Sequence, residues 1–298
     1  MRSVALKPKN FAGIMCAVLA AALYALNAPI SKLLLTHISA AMLAAFLYLG
    51  AGIGMFCVGL VQCFAGKHSA EEPLSKSDLP YIVGMILLDI AAPILLMIGL
   101  SDTTAANASL LNNFEIVATS VIALCIFHEK ISARLWTAII LVTAACAILS
   151  FEGSTSLSFS PGSLLVLLAC ICWGFENNCT RKLSAKDPLR IVVIKGIGSG
   201  LGSLGIAFAV GESLPAAKYL LGALLLGFVA YGLSIFFYIR AQRTLGAAKT
   251  STFYAIAPFI GTAISLVVFR QSPSLAFWIG MVIMIGGTAM ASLDELKN

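Results

Sequence analysis

Three acidic residues, Asp89, Glu115 and Glu176, stand deep inside long apolar stretches of this 298-residue sequence. An ionisable side chain at the centre of a bilayer costs about 2.5–3.5 kcal/mol on insertion scales, so an acid in such a place is a candidate for function. A carboxyl in low dielectric can bind and release a proton near neutral pH, which is the chemistry of proton coupling or of capturing a cationic substrate. The bland alternative for each is a carboxyl held structurally by neighbouring hydroxyls and amides. Asn112, Glu115 and Thr119 are spaced three and four apart and share one helical face, within a polar strip that includes Asn107, Ser109, Asn113 and Ser120. Trp173, Glu176, Asn177 and Thr180 repeat that spacing, and Asn27 stands close to a helix-breaking proline, Pro29. The proline removes one backbone hydrogen bond and permits a kink, either static or a gating hinge. Lys195 has two readings: a side chain that snorkels to the interface, or a partner for Glu176 or for a substrate carboxylate.

The elements that must position these groups follow from composition. Hydrophobic residues make up 60% of the chain and charged residues 11%, with a mean hydropathy of +0.98. A soluble protein carries about 25% charged residues to wet its surface. Nineteen Lys and Arg with thirteen Asp and Glu cannot cover a 31 kDa water-soluble body, which excludes a soluble enzyme, a secreted domain and a disordered chain. Ten windows of the roughly 20 apolar residues that cross a bilayer lie at 11–35, 39–64, 79–101, 104–127, 133–151, 160–181, 188–211, 217–240, 247–269 and 274–292. They are numbered here as spans one to ten. The predicted fold is all-α and integral to the membrane, with no separate soluble domain. The first span carries Asn27, Pro29 and Lys32 without a small-residue cleavage site and reads as a working helix, not a signal peptide.

Basic residues set the orientation. With the N-terminus in the cytoplasm, fifteen of the nineteen Lys and Arg fall on the cytoplasmic side, from Arg2, Lys7 and Lys9 through Lys67, Lys130 and Arg181 to Arg243, Lys249 and Lys297. Only Lys32, Lys218 and Arg270 fall outside, and Lys195 lies within a span. Both termini are therefore expected in the cytoplasm, with the chain multi-pass in the cell (inner) membrane. The net charge of +6 is then a topology signal, and no nucleic-acid partner is expected.

Several chemistries lack their residues. The eight cysteines lie within spans without a CxxC pair and read as small packing residues. His37, His68 and His128 sit at helix ends or in loops, so neither a metal nor another cofactor is expected. The formal GxGxxG at 200–205 has no strand before it. Gly196/Gly200 and Gly198/Gly202 are instead small-xxx-small pairs that let helices approach. No GxxxxGK[ST] loop, no second deep Asp and no Ser–His pair are present, which argues against ATP-driven transport and intramembrane proteolysis.

The chain also repeats itself. A shift of 142 residues brings Ala105-Ala106 onto Ala247-Ala248, Ser109 onto Ser251, Phe127 onto Phe269, Ser132 onto Ser274, Trp136 onto Trp278 and Ser150 onto Ser292. Tyr24-x-x-Asn27…Ser31-Lys32 matches Trp173-x-x-Glu176…Thr180-Arg181. Five spans per copy force the second to insert upside down, an inverted-topology repeat of the kind membrane carriers use. Under the same shift Tyr231 is the counterpart of Asp89 and Tyr254 of Asn112, so both tyrosines are expected to point inward.

On Thr104–Leu111, on the ending Phe127-His128-Glu129-Lys130-Ile131-Ser132 and on its second copy 247–266 with Ala257-Pro258, the sequence resembles the drug/metabolite transporter superfamily, EamA type. It departs from that pattern with Glu115-Ile116 in place of the first Ala-Pro and with Arg270-Gln271 at the second ending. The resemblance implies repeats at 11–151 and 160–292 around a central cavity, flanked by cytoplasmic tails 1–10 and 293–298. It implies a secondary carrier, not an enzyme, and most often an exporter. The expected cargo is a small amphipathic metabolite: an amino acid, an amine or an organic cation. Protons are the expected coupling ion, exchange is the other mode, and an uptake carrier or a channel of the same fold is the alternative. A monomer in lipid is expected, with Asp89, Glu115, Glu176, Asn27, Asn112, Trp173, Asn177, Lys195, Tyr231 and Tyr254 as the substrate or coupling residues.

Overall fold

In the computed structural model, residues 8–66, 74–128, 131–150, 160–183, 186–245, 250 and 253–295 are described. The loop residues Lys67 and His68, the Glu129-Lys130 pair, the repeat positions Ala247, Ala248 and Ser251, and Arg2, Lys7, Lys249 and Lys297 lie outside them. Among the described residues, nine helices are long and apolar enough to cross a membrane, and a tenth, Ala257–Phe269, is apolar but shorter. These ten are the ten spans. Large apolar side chains such as Val61, Phe64, Leu225, Val267 and Val282 are exposed on the outside of the bundle, as a lipid-facing surface requires.

Among the described residues three spans are interrupted, and each interruption has a local cause. Span one consists of Pro8–Ala25 and Asn27–Leu34, parted at Leu26. Pro29 has no N–H to give to the Ala25 carbonyl, and its ring crowds the preceding turn. Span nine restarts at Ala257 with Pro258 in its first turn, where a proline is tolerated because the missing N–H would have no helical partner. Span four consists of Ala105–Leu111 and Phe114–Phe127, although it has no proline. There the Asn113 side chain donates to the Leu110 carbonyl (3.0 Å), and the backbone crosses the gap by tighter bonds, Asn113 to Leu110, Glu115 to Asn112 and Ile116 to Asn113 (each 3.1 Å). An Asn side chain that competes for backbone groups in this way favours turns over helix interiors.

The repeat is visible in the backbone. Among the described residues, the two non-glycine residues with positive φ are His128 (54°) and Arg270 (49°). They are 142 residues apart, each directly after the phenylalanine that ends span four or span nine. A left-handed residue without glycine is uncommon, so its recurrence at the same repeat position marks one supersecondary unit used twice.

Span two, Ala40–Phe64, runs through the middle of the bundle, and its first half is buried. It is reached closely from two sides. A β-carbon on Gly196 of span seven would lie 2.4 Å from the Gly52 nitrogen, and one on Gly227 of span eight would lie 1.9 Å from the Leu47 carbonyl oxygen. Gly198 and Gly202 face the other way, onto Ile86 and Ile90 of span three. The glycine run of span seven is therefore a two-sided helix contact, and it sets the depth of the neighbouring Lys195.

This packing predicts a contrast between two glycines of one helix. Gly196→Ala should lower the thermal midpoint of the purified protein in detergent, at a cost of about 1–3 kcal/mol for overpacking. Gly205→Ala, where nothing lies within 4 Å, should leave the midpoint unchanged or raise it, because alanine is the better helix former by about 0.5–1 kcal/mol. Equal midpoints would contradict the close contact of spans two and seven.

Candidate functional site

Span seven carries Lys195 between span three and span six. Its ammonium lies 3.1 Å from Asp89 Oδ2 and 3.0 Å from Glu176 Oε1, with the three side chains 12%, 0% and 3% exposed. Of the two sequence readings, Lys195 takes the paired one. It also reaches Asp89, because Gly198 and Gly202 seat span seven on span three. Further hydrogen bonds reach the two carboxylates. Tyr48 donates to Asp89 Oδ1 (2.9 Å), the Trp173 indole N–H reaches the Tyr48 hydroxyl (3.5 Å), and the Thr180 hydroxyl donates to Glu176. Ion pairs taken out of water need good geometry and supporting hydrogen bonds; here Tyr48 and Thr180 supply such support, while Asp89 Oδ2 has the Lys195 ion pair but no hydrogen bond among the described residues.

Glu115 has a different environment. Its carboxylate accepts from the Asn177 amide (2.7 Å), which also donates to Thr119 Oγ1 (3.2 Å). Asn178 ties the same region together by donating to the Thr119 and Gly174 carbonyls. Among the described residues Glu115 forms no salt bridge. With all groups ionised, three carboxylates face one ammonium, which leaves two negative charges uncompensated.

A third cluster is aromatic. Asn27 donates to the Tyr231 hydroxyl (2.9 Å) and accepts from Ser31 (3.0 Å). Tyr24 packs edge-on to Tyr231 (5.9 Å between ring centres) and against Tyr254 (5.8 Å), while Tyr48 lies 5.2 Å from Tyr231. Tyr231 stands in a π-helical turn, residues 228–233, the kind of local bulge that re-aims a side chain and is common at functional sites. Tyr48 thus links this cluster to the Lys195 ion pairs.

The ten predicted site residues accordingly fall into connected groups, with one correction. Asn112 does not share a face with Glu115 and Thr119. The interruption at Asn112–Asn113 turns it away, so Glu115 and Thr119 meet Asn177 while Asn112 packs towards Cys170 and lines a different cavity. Tyr48 escaped the sequence reading. The available signal was a phenol alone in an apolar span, since a buried Tyr hydroxyl needs a hydrogen-bond partner.

Two cavities flank the site. One, of about 170 Å³, lies between the ends of spans four, five and six and is lined by Thr119, Ser120, Leu135, Asn177 and Arg181. It is on the side where the basic residues gather. The other is about 10 Å³ and lies where the interrupted spans meet, lined by Tyr24, Ala25, Asn27, Ser109, Asn112 and Gly261. Towards the opposite side, polar contacts tie the helix ends together. Lys32 Nζ donates to the carbonyls of Leu100 (2.5 Å), Ser101 (2.9 Å) and Thr103 (2.8 Å). Glu212 accepts from the Ala41 and Met42 N–H groups (3.2 and 2.7 Å) at the start of span two, a favourable place for an anion at a helix N-terminus.

Residues 11–151 and 160–293 each match the EamA-like transporter family. The chain belongs to the EamA-like transporter family. Among similar proteins are an uncharacterized transporter of Methanothermobacter thermautotrophicus, 24% identical over 92% of this chain and 84% of its own length, and the uncharacterized transporter YyaM of Bacillus subtilis, 24% identical over 74% and 75%. A solved crystal structure shares the fold with a TM-score of 0.66 at 17% identity, covering 96% of both chains. The buried clusters thus belong to a multi-pass membrane protein of a transporter family.

In this EamA-like chain, removing Lys195 alone should be costlier than removing the whole charged cluster. Lys195→Met leaves two buried carboxylates without their cation and should lose about 3–5 kcal/mol of stability. The neutral triple variant Asp89→Asn, Glu176→Gln, Lys195→Met should recover most of that loss. Thermal midpoints in detergent measure both, and a triple variant as unstable as the single would contradict the ion-pair arrangement.

Proposed function

We propose that this EamA-like transporter is a secondary carrier that moves a small amphipathic metabolite, an amino acid, an amine or an organic cation, by alternating access with protons as coupling ion. The observation that carries the proposal is the inequality of two repeat-related gaps. Thr119 and Asn177, which line the 170 Å³ cavity, are the repeat counterparts of Gly261 and Ala28, which line the 10 Å³ cavity. An inverted repeat whose two copies adopt different shapes is open on one side and closed on the other, and exchanging the shapes reverses the access. Here the gap on the basic side is open, and Lys32 and Glu212 close the other side.

The coupling proposal rests on charge. Three buried carboxyls against one ammonium favour uptake of a cation or a proton. Glu115 is the one hydrogen-bonded by a neutral amide beside the open cavity. A carboxyl exposed to one side and then the other can carry a proton across or exchange it for a cationic cargo. Export is the proposed direction, with substrate loaded from the cytoplasmic cavity.

Reconstituted protein tests the reading. Proteoliposomes screened with amino acids, amines and organic cations should show saturable counterflow of at least one labelled compound, together with a pH change inside the vesicles. Glu115→Gln should cut that flux by about tenfold, the worth of one charged hydrogen-bond contact, and uncouple it from pH. Flux that rises linearly with concentration and shows no counterflow would establish a channel, and the absence of any flux across the panel would overturn the proposed cargo class.

A further inference from the structure

The small cavity has a built polar lining that neither the ion pairs nor Glu115 uses. The position a β-carbon on Gly261 would occupy lies 3.0 Å from Ser109 Oγ and 3.1 Å from the Ala25 carbonyl oxygen. Ser109 and Ala25 thus approach Gly261 closely, and all three line the same cavity. Ser109 is 2% exposed, and its hydroxyl has no hydrogen-bond partner among the described residues. A buried hydroxyl left without a partner is costly and calls for an explanation. Ala25 ends the first half of span one, and its carbonyl lacks the helical donor that residue 29 would supply if it were not proline. The free carbonyl end of a half-helix attracts cations, the arrangement that discontinuous helices provide in membrane carriers.

The Ala25 carbonyl can only accept, so a group in the cavity must donate to it, and a further N–H can serve the Ser109 oxygen. A carboxylate or phosphate oxygen would be repelled by the carbonyl. The free volume of about 10 Å³ admits a group the size of one water, which an –NH₃⁺ head matches and a quaternary ammonium exceeds. Tyr24 and Asn112 complete the wall, and the tyrosine ring adds a surface suited to a cation. We infer that Ala25 and Ser109, meeting at Gly261, form a subsite for a primary ammonium group of the transported molecule. Gly261 is the residue that keeps the subsite open, since any side chain there would fill it. The inference rests on the carrier reading and narrows its substrate class to primary amines.

The test uses full-length protein in detergent and simple probes at equal ionic strength. n-Butylammonium chloride should raise the thermal midpoint saturably, whereas tetramethylammonium chloride, which has no N–H, and sodium chloride should not. Ser109→Ala should keep the unliganded midpoint, because its hydroxyl has no bond to lose, yet weaken the n-butylammonium response about tenfold, the cost of one hydrogen bond to a charged group. Gly261→Ala should abolish the response; if that variant fails to fold, Ser109→Ala and the tetramethylammonium comparison decide. An equal response to tetramethylammonium, an undiminished response in either variant, or no response to n-butylammonium would overturn the inference. Saturable counterflow without ammonium binding would overturn this inference alone, and ammonium binding without counterflow would overturn the carrier reading alone.

Discussion

The interior of this bundle is organised by a shortage of positive charge. An ammonium withdrawn from water needs counter-charges, and carboxylates withdrawn from water need a cation or a proton. Lys195 meets the first requirement by standing about 3 Å from both Asp89 and Glu176. That position needs span seven to lie against span two on one side and span three on the other, which glycines at 196, 198 and 202 permit. The helix packing and the charge balance therefore constrain each other. A bulkier residue at 196 would displace the cation, and a neutral residue at 195 would leave the close glycine contact surrounding two unpaired acids.

The two repeats differ at the positions where a carrier would need them to differ. Pro29 interrupts span one, while its counterpart Asn178 leaves span six continuous from Pro161 to Leu183 and binds the Gly174 carbonyl four residues back. Glu115 has Ala257 as its counterpart, and Thr119 has Gly261. Acid and hydroxyl thus sit on the open side, where Asn177 holds them, and small residues sit on the closed side, where helices come together. The backbone device is retained in both copies, as His128 and Arg270 demonstrate, while the chemistry has diverged. In the proposed carrier, unequal side chains on equal scaffolds would let two shapes bind protons and ligand differently, and only differential binding can shift such an equilibrium.

Much of this was legible in the sequence because lipid penalises polar groups so heavily. Ten apolar windows, the 142-residue repeat and the three deep acids follow from that penalty without any knowledge of packing. Asn27, Tyr231 and Tyr254 came from repeat positions and do meet, through Tyr24. What stayed hidden depends on rotation about a helix axis. The interruption at Asn112–Asn113 carries no proline, so the spacing of Asn112, Glu115 and Thr119 promised one face where the structure has two. The pairing of Lys195 with Asp89, and the place of Tyr48 between them and the aromatic cluster, depend on which helices are neighbours, and periodicity within single spans does not encode that.

Closure of the less basic side follows from similar reasoning. Lys32 is one of few cations there, and it donates to three carbonyls at the turn between spans three and four. Carbonyls at a helix C-terminus attract a cation without the desolvation cost of a carboxylate. The contact therefore ties the outer end of span one to the turn between spans three and four. Arg181, the repeat counterpart of Lys32, lines the open cavity on the other side. A cation at the same repeat position in each copy, closing one side and bordering the opening on the other, is what an inverted repeat needs if closure on the two sides is to alternate.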